Sequence, residues 1–331
     1  MTAPAASPAI GAPNGALFFP LLLLATAVTF VLFPLASHVF PETASLTELT
    51  VWVMFVGSGG HVAASFFFYT DREIREKLLF PQRGRFFLVP VAIVLGSALF
   101  FSFTGPVVAA WGITAYWVWQ THHYSRQNHG ILAFASRAGG VPVTKLERLA
   151  LTLCGVAGVI GMTTFVTPIA ETGLLAWGWY LHTVGLGVYA AAWVCYGLSL
   201  LQRAPALDMR SLMLLVLMLF FGPLFLFSDP LSAVFTYAIA HGLQYLVFMG
   251  FVVSGRRALA GFGVLAAFVL LGGGLLYAFM RPEGQRGISP EPFFGAYLGI
   301  VMWHFLLDAG VWRLSDPFQR SYMARHFDFL R

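Results

Sequence analysis

The sequence predicts an all-α, polytopic integral membrane helix bundle of about ten transmembrane helices. Three observations carry that fold class: the composition, the length of the apolar blocks, and the placement of the basic residues. Of 331 residues, 58% are hydrophobic and 10% are charged, against roughly 25% charged in an ordinary soluble domain. A water-soluble fold cannot hide so much apolar surface. The apolar residues come in blocks of about 18 to 28, the length of a helix crossing about 30 Å of hydrocarbon at 1.5 Å per residue. A β-barrel would show alternation over about ten residues, and no such pattern is present.

In chain order, the ten expected helices begin near Ala16, Glu48, Phe86, Pro106, Leu146, Gly173, Arg210, Pro230, Leu259 and Phe293. They end near Phe40, Thr70, Phe103, Arg137, Val166, Leu200, Ser228, Ser254, Met280 and Leu314. Pro106, Pro230 and Pro292 stand at helix entrances, where a missing N–H costs nothing. Gly57, Gly59 and Gly60 allow close helix approach, which packing in lipid favours.

The basic residues segregate. Loops after even-numbered helices and the tail carry sixteen of the 19 Lys and Arg: Arg72, Arg75, Lys77, Arg83 and Arg85; Arg137, Lys145 and Arg148; Arg203 and Arg210; Arg256 and Arg257; Arg313, Arg320, Arg325 and Arg331. Odd-numbered loops hold only Arg281 and Arg286, and Arg126 lies within the fourth helix. The positive-inside rule then puts both termini and the even loops in the cytoplasm of a multi-pass cell-membrane protein. An eight- or nine-helix count scrambles the segregation.

Residues 1–331 read as one transmembrane domain, with a short N-terminal tail (1–15) and a cytoplasmic C-terminal tail (315–331). The first block is too long for a signal-peptide core and is expected to stay attached. Cys154 and Cys195 lie in apolar blocks without CxxC spacing and read as core thiols. The basic residues are dispersed juxtamembrane anchors, so nucleic acid is not an expected partner. Phosphate-binding glycine loops are absent.

Chemistry concentrates in the histidines. Seven of nine fall on even-numbered expected membrane helices, which run in the same direction: His61, His122, His123, His129, His182, His241 and His304. His61, His241 and His304 lie near mid-membrane by residue count, and His122, His123 and His129 lie toward the cytoplasmic side. His182 lies nearer the outside and reads as a packing histidine. The densest run is Trp119-Gln-Thr-His-His-Tyr-Ser-Arg-Gln-Asn-His-Gly130. Charged groups at the bilayer centre cost about 2–3 kcal/mol each, so such a run implies a function. Helical spacing puts His122, Arg126 and His129 on one face. His122 and His129 are about 10 Å apart along the axis, too far to share one ion. His304 and Asp308 share a face at i, i+4, a ligand with an orienting carboxylate or a ligand pair. Tyr245, one turn after His241, and Asp308 are the candidate catalytic groups. Arg126, Gln127 and Asn128 are candidates for holding the polar end of a substrate.

Imidazole with carboxylate and no thiolate suits iron, manganese, copper or zinc. O₂ and lipophilic substrates both concentrate in lipid, which favours one or two non-haem iron ions. The metal-ligand pool is then His61, His122, His123, His129, His241 and His304. The implied partners are a lipophilic substrate, O₂, membrane lipids and, where the reaction needs one, an electron-donor protein. A b-type haem held by two histidines and a proton- or metal-coupled transporter using His and Asp308 remain the alternatives. No repeat between the two halves speaks for transport.

Two resemblances follow from these segments. Clustered histidines on membrane helices resemble the histidine boxes of fatty-acid desaturases and hydroxylases, without their HxxxH and HxxHH spacings. The chain order Gly60-His61, His122 to His129, Ala240-His241-Gly242 and His304 to Asp308 is similar to that of bacterial membrane β-carotene dioxygenases. That similarity implies a His-ligated iron and oxidative chemistry on a polyene lipid.

Overall fold

The computed structural model describes residues 13–39, 53–166, 175–202, 208–227, 230–254, 258–279 and 291–330. The described residues form helices and turns, with no strand among them. Among the described residues, six helices are long and apolar enough to cross a membrane: Gly84–Phe103, Lys145–Thr163, Gly178–Leu201, Ser232–Val253, Leu259–Leu276 and Glu291–Val311. Gly15–Val31 and Met209–Leu219 are shorter apolar helices. The loop carrying Arg281 and Arg286, and the residues Arg203, Arg256, Arg257 and Arg331, lie outside the described residues.

The elements used below are α1 (Pro13–Val39), α2 (His61–Ser65), α3 (Val89–Phe103), α4 (Pro106–Ala138), α5 (Lys145–Val166), α6 (Leu175–Leu201), α7 (Met209–Leu219), α8 (Pro230–Val253), α9 (Ala258–Ala267), α10 (Gly273–Phe279), α11 (Glu291–Val311) and α12 (Pro317–His326). The chain divides into two compact units. Unit 1 comprises Met1–Leu35, Trp117–Ala240 and Ser321–Arg331, and unit 2 comprises Ala36–Tyr116 and His241–Arg320.

In unit 1, α5 packs along α6, with α7 beside α5. Small residues make this possible. A Cβ at Gly158 would lie 2.6 Å from the Phe221 ring, and one at Gly185 would lie 3.3 Å from the Gly161 nitrogen. The expected seventh helix, Arg210 to Ser228, is interrupted. α7 ends at Leu219, and a turn leads to the short helix Pro223–Leu226, because Pro223 lacks the N–H an unbroken helix requires.

The entrance of α5 is a reciprocal capping box. Thr144 Oγ1 accepts from the Glu147 N–H at 3.1 Å, and Glu147 Oε2 accepts from the Thr144 N–H at 2.8 Å. The same Oε2 receives Arg210 at 2.7 Å, and Arg210 Nε donates to Ser136 Oγ at 3.0 Å. Both side chains of the ion pair are 3% exposed. Arg210, read from sequence as a loop charge, is thus a buried tie between α4, α5 and α7. The chain end also docks: Phe327 and Phe329 pack edge-on or tilted against Phe18 and Phe134, so residues expected only as a tail help form the core of unit 1.

In unit 2, α11 lies along α3. Gly295 and Gly299 allow it, since a Cβ at either would strike the backbone at Ser97 or Val94. The expected second helix is not a uniform α-helix. It runs as a wider π-helix over Val53–Gly60, then α2, then a tighter 3₁₀ turn over Phe66–Tyr69. This segment packs against α10 and the π-helical turn Phe268–Gly272 that precedes it. A Cβ at Gly59 would lie 2.9 Å from the Gly273 carbonyl oxygen. The Tyr69 hydroxyl donates to the Phe86 carbonyl at 2.6 Å and accepts from Trp303 Nε1 at 2.8 Å, which fixes the far end of the segment to α11. Beyond it, Arg72–Glu76 and Lys77–Glu73 are exposed i, i+4 pairs that contribute little to stability.

Candidate metal centre

His61 opens α2, directly after the π-helix; His241 lies mid-way along α8; His304 lies mid-way along α11. Three segments distant in sequence therefore each deliver one imidazole within unit 2. The backbones come close enough because glycines stand beside the histidines. A Cβ at Gly242 would lie 2.7 Å from the Gly57 carbonyl oxygen, and Gly57 is one turn before His61. Any side chain at position 242 would hold the two histidine-bearing segments apart.

The three rings meet edge to face. Their centroids are 4.8 Å apart for His61 and His241, 5.0 Å for His61 and His304, and 6.2 Å for His241 and His304. One donor nitrogen from each ring lies within 4.8 Å of the others. Three nitrogens on one ion at bonds of about 2.1 Å stand about 3.4 Å apart in tetrahedral geometry. Side-chain rotations of under about 1.5 Å would close the set. The rings are 2%, 0% and 0% exposed for His61, His241 and His304, so water cannot satisfy a charge placed there.

Asp308 lies one turn along α11 from His304, with Oδ2 3.5 Å from His304 Nε2. Its other oxygen, Oδ1, accepts from the Tyr245 hydroxyl at 2.9 Å, and Trp312 supplies a further hydrogen bond to the carboxylate. Tyr245 also packs against His304, with ring centroids 5.1 Å apart. A carboxylate beside one imidazole nitrogen fixes which nitrogen carries the proton and makes the ligand more basic. Asp308 is the only buried carboxylate among the described residues of unit 2. Burying it beside three imidazoles is costly and is offset if a cation sits among them.

The remaining sequence candidates stand on α4 in unit 1. His122 and Arg126 lie on its exposed face, with Trp119, Gly130, Ala133 and Arg137 at helical spacing. His122 joins no metal-holding group among the described residues. His123 is half-buried, its ring centroid 6.1 Å from that of Tyr124. His129 approaches Thr152 Oγ1 on α5 at 3.4 Å. Gln127 is half-buried and Asn128 is buried. His182 packs on Trp179 and Phe225, as expected of a packing histidine.

Trp312 was not singled out from sequence. Its signal was the stripe His304, Asp308, Trp312 at i, i+4, i+8. Gly57 and Gly242 were legible only as small residues near histidines. Compared with protein-family models, curated proteins and solved structures, the chain matches none.

Proposed function

We propose that the protein is a multi-pass membrane metalloenzyme, a non-haem iron oxidase or oxygenase acting with O₂ on a lipophilic substrate. The observation that carries this reading is the buried convergence of His61, His241 and His304, backed by Asp308. Three imidazoles leave coordination positions open on an ion, and a bound redox metal would supply the site with O₂ chemistry. The protein's own groups do the rest. The imidazoles set the geometry, the surrounding apolar side chains exclude water, and Tyr245 Oη holds a proton directed at Asp308 Oδ1.

The haem alternative fits less well. Two axial ligands must face each other across a flat macrocycle, whereas here every ring has the other two within 6.2 Å. The reading includes ten membrane spans with both termini cytoplasmic, supported by the charge segregation and by six helices of spanning length and composition.

The test is metal analysis and an absorption spectrum of purified protein, followed by oxygen uptake with membrane lipids, fatty acyl chains and carotenoids, with and without reductant. Bound iron, no Soret band and lipid-dependent O₂ consumption are expected. A Soret band, or full metal retention in both His241→Ala and His304→Ala, would overturn the assignment.

A further inference from the structure

Away from the histidine triad, α4 and α5 of unit 1 form a second polar constellation. A Cβ on Gly155 would strike the Ser125 side chain, so the two helices touch closely there. Beside that contact, His129 Nε2 lies 3.4 Å from Thr152 Oγ1, whose own proton goes to the Arg148 carbonyl at 2.8 Å. The hydroxyl proton is therefore engaged. Arg126 and Arg148 are the two charges acting on the His129 ring. Both guanidinium groups are exposed, and neither is paired with a carboxylate among the described residues. The nearest acid in sequence, Glu147, is turned inward to Arg210. Two unneutralised cations and an imidazole are thus focused on one patch, from two helices.

The surroundings identify the ligand. Along α5 the patch continues into an exposed apolar stripe, with Leu149 45% and Val156 44% exposed on either side of Thr152. Along α4, Trp119 is 39% exposed. Arg148 stands in the first turn of the membrane-length helix Lys145–Thr163, about 5 Å from its end by helical rise. That is the level of lipid headgroups and ester groups. A soluble protein would leave such a stripe in water; here it faces acyl chains. Guanidinium groups present paired donors in the geometry that phosphate oxygens accept, and they are less strongly hydrated than ammonium. We infer that Arg126, His129 and Arg148 hold the phosphate of an anionic phospholipid, with its acyl chains lying along Leu149 and Val156. The site needs neither the metal nor the oxidative chemistry, so it stands or falls separately.

The experiment uses full-length protein in zwitterionic micelles, titrated with short-chain phosphatidylglycerol, the matching phosphatidylcholine, and inorganic phosphate. Binding is read by native mass spectrometry and by thermal stabilisation. Saturable binding of phosphatidylglycerol is expected, with none of comparable strength for phosphatidylcholine. Each of Arg126→Gln and Arg148→Gln should weaken it by at least about fivefold, the effect of about 1 kcal/mol per basic residue near a charged surface. Arg126→Lys should recover part of the loss, while Arg137→Gln, on the same exposed face of α4, should leave affinity unchanged. Equal affinity for the two lipids, or an equal effect of Arg137→Gln, would overturn the proposal. So would displacement of phosphatidylglycerol by inorganic phosphate at similar concentration, because the acyl stripe would then contribute nothing.

Discussion

Gly242→Ala tests whether helix packing, rather than the histidines alone, builds the metal centre. The new Cβ would lie 2.7 Å from the Gly57 carbonyl oxygen and 2.8 Å from its Cα. Backbone contacts of this kind relax only near 3.4 Å or beyond, since carbon atoms sit best about 3.5–4.0 Å apart. The two segments must therefore separate by about 0.7 Å. His241 is the immediate neighbour of one contact point, and His61 is one turn from the other. The shift is passed almost whole to two of the three ligands. Metal–ligand distances hold to about 0.2 Å, so the side chains would have to take up a shift roughly threefold larger than that on top of the movement that closes the set. We expect metal affinity to fall at least about tenfold, with an overpacking cost of about 1–3 kcal/mol. Gly250→Ala on the same helix is the control, as nothing lies within 4 Å of its added Cβ. The assay is metal content after equilibration with a competing chelator, together with the thermal midpoint in detergent. A folded Gly242→Ala protein that binds metal with unchanged affinity would refute the reasoning.

Other outcomes follow from single contacts. Asp308→Asn and Tyr245→Phe should each lower metal affinity about 10–100-fold, as loss of a ligand's supporting partner does, measured by the same chelator competition. His122→Ala should retain full metal, because that ring lies on the exposed face of α4; loss of metal would enlarge the centre. Arg210→Ala should cost about 3–5 kcal/mol in denaturant unfolding by stranding Glu147, whereas Arg210→Met with Glu147→Leu should cost far less. A cysteine at position 286 should be labelled by a membrane-impermeant thiol reagent from outside intact cells; labelling only after lysis would sink the ten-span topology.

Much of the fold was legible because apolar block length and proline position are local signals. The expected fourth helix, Pro106 to Arg137, matches α4 within one residue, and the fifth and eighth match α5 and α8 nearly as well. The second and seventh did not appear as uniform helices. Widening at Val53–Gly60 answers to the tertiary contacts of Gly57, Gly59 and Gly60, which period and propensity do not encode. In the site, equal expected depth put His61, His241 and His304 together, and their ring centroids lie within 6.2 Å of one another; residue count measures height along a helix. It could not measure rotation about the axis, and so did not distinguish His122, on the exposed face of α4, from the buried rings. Arg210 shows the same limit: charge alone read as a loop, and only packing reveals its partner Glu147.

Charge sets what such a centre favours. Three neutral imidazoles and one carboxylate leave a divalent ion with a net charge of about +1, and a trivalent ion with about +2. The cost of burying charge in a weakly polar interior rises with its square, and Asp308 and the three histidines are at most 6% exposed. A metal held by these residues would therefore be favoured in its divalent state. Asp308 stands 3.5 Å from His304 through one oxygen and accepts a hydrogen bond from the Tyr245 hydroxyl through the other, so a change of charge at a bound ion would be felt by this carboxylate. A zinc site built only for structure needs neither an orienting carboxylate of this kind nor open coordination positions, since its four ligands close the shell. Three histidines, one carboxylate behind them and no thiolate is a donor set suited to changing its charge in lipid, which is why the oxidative reading is preferred to a structural one.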